Sequence, residues 1–135
     1  MNKPNRFRFR AWDKKLKAMG SVTAMEDVAG IMTPTLMYNH RIYNMTGSLQ
    51  FDARNCILMQ STGLCDANYR EIFEGDIIAL FDFDNQYDGA GYKVYFARGS
   101  FIISIEGKEH ILATYDDSKS VEVVGNIYEN PELIK

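Results

Sequence analysis

Arg6, Arg8, Arg10, Trp12 and Lys14 fall on alternate positions of one short segment, Arg6-Phe7-Arg8-Phe9-Arg10-Ala11-Trp12-Asp13-Lys14. If that segment is extended, its guanidinium groups stand roughly 6.5–7 Å apart on one face, close to the phosphate spacing along a nucleic-acid strand. Trp12 would add a flat ring on which a base could stack. The competing account is a solvent-facing strand whose arginines pair with acidic groups of the same fold. Three arginines on a single strand make few phosphate contacts, so this second account is preferred. The five residues nevertheless stand as the candidate contact for a partner or for nucleic acid.

Other residue sets imitate known chemistry less closely. Two histidines and two cysteines (His40, Cys56, Cys65, His110) match a zinc set in number, but they are scattered, whereas structural zinc draws ligand pairs from tight knuckles. Asp84, Gln86 and Asp88 with Gly89 begin like a calcium loop, yet Tyr95 stands where a bidentate glutamate should complete the shell. Glu71, Glu74 and Asp76 could hold an acid–base pair, although Glu74-Gly75-Asp76 ahead of an apolar run reads more simply as a capped turn. Cys65 and His110 could form a thiolate–imidazole pair, with nothing local to support it. Glycine-rich phosphate loops and the nucleophile-elbow pattern are absent. No metal and no cofactor is expected.

The elements that must position these groups are strands. Arg6 to Ala11 alternates strictly, the period of a β-strand, and Leu16 to Val22 can return as the second arm of a hairpin. Residues 23–50 carry helical spacings, Met25, Val28, Ile31, Met32 and Tyr38, Ile42, Met45, Leu49, that Gly30, Pro34 and Gly47 interrupt. That stretch is expected to be short strands and loops with at most one helical turn. Cys56–Gln60 reads as a buried strand, and Thr62-Gly63 as a loop. Five apolar runs follow (Ile77–Phe83, Tyr92–Phe96, Phe101–Ile105, His110–Thr114, Val121–Ile127), each separated by a turn signal. They describe an antiparallel meander, which gains by curling because closure protects its edges. The fold class expected is mainly β, a short N-terminal β-hairpin region at 1–57 followed by a small SH3-type barrel at 58–135. Its core would come from Ile78, Leu80, Val94, Phe96, Ile103, Leu112 and Val124.

At 135 residues, 46% hydrophobic and 24% charged, the chain has the composition of a globular protein able to bury a core without cross-links. Its two cysteines suit a reduced, cytoplasmic setting. No apolar run nears the roughly 18 residues a membrane span requires, and the N-terminus lacks the apolar stretch of a signal peptide. Residues 1–20 hold seven basic side chains against one acid, Asp13, a net +6 that leaves −9 on residues 21–135 and −3 overall. Such asymmetry marks either a basic arm for nucleic acid or a basic strand that meets an acidic surface, here the preferred account.

Three blocks go beyond pattern. Phe7-Arg8-Phe9-Arg10-Ala11-Trp12-Asp13 resembles the "RAWD" opening of the YopX family, small proteins of bacteriophages and prophages. Leu58 to Leu64 and Tyr69 to Ile78 resemble its "LMQ.TGL.D..G.EI.EGDI" centre, and Val123 to Leu133 its "VIGNIYENPEL" ending. Ala67-Asn68-Tyr69-Arg70 departs from the lysine–asparagine–glycine turn usual there, which suggests a different turn. The resemblance implies a C-terminal SH3-type barrel and no established activity. The blocks also have a structural explanation, as turns, bulges and caps around Gly63, Gly75, Gly125, Asn126 and Asn130.

The expected function is that of a phage or prophage accessory protein acting as a self-associating protein-interaction module, with a phage or host protein as its further partner and no membrane. Nucleic-acid binding through the basic strand is the alternative, and an enzyme ranks last.

Overall fold

A computed structural model describes residues 8–28, 31–38, 49–50, 56–81, 89–115 and 120–134. Among them the regular structure is antiparallel β, with two short 3-10 turns and no α-helix. Two compact units divide the chain, Arg8–Gln60 and Ser61–Lys135.

In the first unit, β1 (Phe9–Asp13) takes the extended form its alternation dictates and turns back into β2 (Ala18–Val28). β3 (Ile31–Tyr38) follows β2, and β4 (Leu49–Gln50) pairs Leu36 and Thr35. β5 (Cys56–Cys65) lies on the other side of β1, so the strand order is β4-β3-β2-β1-β5. For residues 23–28 and 31–38 the expectation of short strands is corrected, while Ile42 and Met45 lie outside the described residues. Met25, Val28, Ile31 and Met32 belong to two long strands, with Asp27 opposite Met32 and Val28 opposite Ile31. Val28 and Ile31 are three apart in sequence because they are cross-strand partners, which is why the spacing mimics a helix. Pro34 does not break β3. Counting from the Val28–Ile31 pair, it faces Met25 at a non-hydrogen-bonded position, so its missing N–H costs β2 no ladder bond.

β5 continues through Thr62-Gly63, where a loop was expected. Its second half pairs β6 (Glu71–Phe73), with a register shift between Ser61 and Cys65. Gly63 has φ of 78°, so the glycine serves a bulge inside the strand rather than its end. The kink is tied locally. Ser61 Oγ accepts from the Gly63 amide at 3.2 Å, while Thr62 Oγ1 accepts from Leu64 and donates to the Ile72 carbonyl at 2.7 Å.

The remaining strands of the second unit are β7 (Asp76–Leu80), β8 (Tyr92–Lys93), β9 (Tyr95–Ala97), β10 (Ser100–Ile105), β11 (Lys108–Ile111) and β12 (Val121–Asn126). They form two three-stranded sheets, β12-β7-β8 and β9-β10-β11. Val94 is the bend between β8 and β9. Its amide donates to Asp76 O and its carbonyl accepts from Gly75, both at 2.8 Å. The result is a curled half-barrel. Arg98-Gly99 and Glu106-Gly107 connect β9 to β10 and β10 to β11 with positive φ at both residues, the twist that two-residue hairpins require.

Ile72, Ile78, Val94, Ile103, Leu112, Val121 and Val123 form the core, with Leu64, Leu80, Tyr92, Phe101, Ile105 and Tyr115 packed around it. Four of the expected core residues, Ile78, Val94, Ile103 and Leu112, are buried, and Leu80 is half-buried. Phe96 and Val124 are not, at 51% and 38% exposure. On β12 the register slips between Val123 and Gly125, and Val121 and Val123 are the residues that face inward. Phe96, the middle residue of the three-residue β9, leans edge-on against Phe101, ring centroids 5.1 Å apart, and is otherwise exposed. The expected strand at His110–Thr114 stops at Ile111, and a 3-10 turn at Leu112–Tyr115 buries Leu112. Tyr69 stands at the glycine position of the pattern noted above and has φ of 63°. That is the left-handed region glycine adopts most readily, here held by tyrosine.

Candidate functional site

Arg10 and Trp12 share a face of β1, as alternation requires. Arg10 stands across from Ser21 on β2 and Met59 on β5, and Trp12 across from Met19 and Ile57. Met59 is buried, and Arg10, Trp12, Met19 and Ile57 are half-buried. That face is a packed surface of arginine stems, indole and thioethers, in which the apolar length of arginine is as useful as its charge. Both edges of β1 are paired, so it offers no free strand edge. Arg8 and Lys14 are exposed at its two ends, and Arg6 lies outside the described residues. Arg8, Arg10 and Trp12 are already engaged by other groups of the chain.

The turn after β1 is organised by Asp13. Its buried carboxylate accepts from the amides of Lys15 and Leu16, each at 2.9 Å. An aspartate that binds the two following turns of chain in this way fixes the loop backbone. Lys14, Lys15 and Lys17 are exposed on that fixed loop.

The other candidate sets resolve into structure. Asp76 Oδ2 accepts from the Phe73 amide at 2.8 Å across Glu74-Gly75, the capped turn that the sequence suggested. Cys65 lines a crevice with Leu64, Ile72, Leu112, Tyr115 and Val121, too tight for a water molecule, and His110 is not part of its lining. Among the described residues no group of His, Cys, Asp and Glu is gathered as a metal site. His40 and residues 82–88 lie outside the described residues.

Asp66 is the residue that sequence inspection missed. Its carboxylate accepts three amides: Asn68 at 2.9 Å and Arg70 at 2.8 Å through Oδ1, and Val123 at 2.9 Å through Oδ2. Beside it, the Ala67 amide donates to Val121 O at 2.9 Å, so the 66–70 turn is stitched to the outer edge of β12. Asp-Ala-Asn is a legible turn signal, but nothing local announces a partner 57 positions away. A second knot follows β12. Asn126 Oδ1 accepts from Tyr128 and Glu129, its Nδ2 donates to Glu129 Oε1, and Asn130 Oδ1 accepts from the Asn126 amide at 3.2 Å. Ile127 then donates to Gly75 O at 2.9 Å, joining the two turns.

In the second unit the β9-β10-β11 sheet carries two exposed apolar side chains, Phe96 and Ile111. Tyr95, Ile102 and Ile111 lie opposite one another across its three strands, and Ile111 is 51% exposed. β11 is an outer strand. Counting back from the two-residue turn, Ile105 and Lys108 are hydrogen-bonded partners, so Glu109 and Ile111 direct their N–H groups away from β10.

A family model described as YopX protein matches residues 8–135. Among solved structures, protein EF1440 from Enterococcus faecalis is similar, with 28% identity and a TM-score of 0.63 over 95% of this chain and 97% of that one. The protein yopX from Bacillus subtilis is also similar, with 18% identity and a TM-score of 0.67 over 97% and 100%. No curated protein matches. No helix of the described residues is long and apolar enough to cross a membrane.

Proposed function

The chain belongs to the YopX family, and on that footing we propose that it is a phage- or prophage-encoded accessory protein of the cytoplasm that acts by binding, to copies of itself and to a phage or host protein. One observation carries this reading. The signature residues Asp66, Asp76, Asn126 and Asn130 all hold backbone amides, so what the signature specifies is a shape. A protein selected for its shape works through its surface.

We read residues 58–135 as an SH3-type barrel. In support, the last strand returns beside β7, the bend at Val94 passes one strand between two sheets, and a 3-10 turn precedes β12. Self-association runs through β11, since β1 has no open edge. Outward amides at Glu109 and Ile111 and the exposed Ile111 side chain are what an added strand would use. Light scattering tests this. The wild type is expected to grow in mass with concentration, and Glu109→Pro, which deletes one outward N–H and no bond to β10, is expected to stay monomeric with unchanged circular dichroism. A wild type that is monomeric at every concentration removes the reading.

A further inference from the structure

Part of the net +6 of residues 1–20 is displayed on one exposed turn. Among the described residues, no carboxylate lies within ion-pair reach of Lys14, Lys15 or Lys17. The loop that bears them is pinned from inside by Asp13, whose carboxylate is buried under the turn on the Lys15 and Leu16 amides. Lys17 closes the loop with φ of 52°, and Asp13 pairs with Ala18 at its base. Three ammonium groups are thus displayed within four residues of a fixed backbone.

We propose that the turn joining β1 to β2 is a contact for the phosphate backbone of nucleic acid, made by Lys14, Lys15 and Lys17. This goes beyond the binding role given above and does not depend on it. Lysine is a hydrated point charge on a flexible stem, suited to phosphates along a backbone and unsuited to a packed protein interface, whose cores are depleted of it. Adsorption to an anionic membrane surface draws on larger clusters, about four to eight basic residues. Arg10 and Trp12 are half-buried in the sheet, so the contact is electrostatic and indifferent to sequence. It moves the nucleic-acid candidate off the face of β1 and onto the turn, with only Lys14 in common.

Fluorescence anisotropy with a labelled duplex of arbitrary sequence tests this on the full chain. Three phosphate contacts give a log–log salt slope of about −2.7, an affinity loss of roughly forty-fold between 50 and 200 mM salt. Each of Lys14→Gln, Lys15→Gln and Lys17→Gln is expected to flatten the slope by about 0.9, and the triple variant to abolish binding. Lys93→Gln with Lys108→Gln, lysines of the other unit, should leave the slope unchanged. Because the single variants are read separately, misfolding of the triple variant, seen by circular dichroism, would not decide the matter. No binding at 50 mM salt overturns the proposal, as does a slope that the single variants leave intact. Two further results also overturn it: binding to phosphatidylserine vesicles with none to the duplex, or loss of self-association in the lysine variants with no duplex binding.

Discussion

Asp66→Asn is nearly isosteric and should be costly. The wild-type carboxylate offers acceptors in both directions, two amides on Oδ1 and the buried Val123 amide on Oδ2. An amide side chain has one oxygen. Kept on Asn68 and Arg70, it turns its own N–H2 toward the N–H of Val123, donor against donor. Flipped, it faces two donors with a donor. The cheaper orientation loses one charge-assisted bond and strands a buried amide, an effect of about 2–4 kcal/mol. Burying a neutral group in place of a carboxylate returns part of this, so about 2–3 kcal/mol is expected. In urea, with a slope of about 1–3 kcal/mol per M, the midpoint should fall by about 1–2 M while the slope holds. Asp66→Ala, which removes the acceptors and adds no donor, separates the lost bonds from the repulsion. A midpoint for Asp66→Asn within about 0.3 M of wild type would refute the idea that this carboxylate ties β12 to the 66–70 turn.

Other substitutions probe the same construction. A Cβ on Gly125 would lie 2.5 Å from Asn130 Oδ1, so Gly125→Ala must expel that side chain and should destabilise by about 1–3 kcal/mol. In a double-mutant cycle with Asn130→Ala, the combined loss should be less than additive, because truncation removes the bond and the two nearest clashing atoms together, leaving only the Cβ at 2.9 Å. Tyr69→Gly should raise stability by about 0.5–1 kcal/mol, since the left-handed backbone strains tyrosine more than glycine's extra unfolded-state entropy costs. Glu106→Asn, which places Asn-Gly in the turn between β10 and β11, should raise the melting temperature by a few degrees. Thr62→Val deletes the hydroxyl that bridges Leu64 and Ile72 and should cost about 1–2 kcal/mol in chemical denaturation.

The mainly β character, the β1–β2 hairpin and the turns at Arg98-Gly99 and Glu106-Gly107 were legible because alternation and turn chemistry are properties of neighbouring residues. Capping by Asp76 and the Asn126–Asn130 knot were legible for the same reason, both bonds closing within five positions. What the residues alone did not disclose depends on which strand lies beside which. Helical spacing across β2 and β3 vanished once the two were paired. On β12 it was Val121 and Val123, and not Val124, that turned inward, and Pro34 was harmless to β2 because it faces Met25 at a non-hydrogen-bonded position. The basic segment shows the division most clearly. Its charge could be counted along the chain, but β5 and β2 placed Arg10 and Trp12 beside Met59 and Met19 and left the three lysines of the turn in water. Local bonding is written in adjacent side chains, whereas burial and the partner of each charge are set by segments distant in sequence. Those meet only when the sheet has formed.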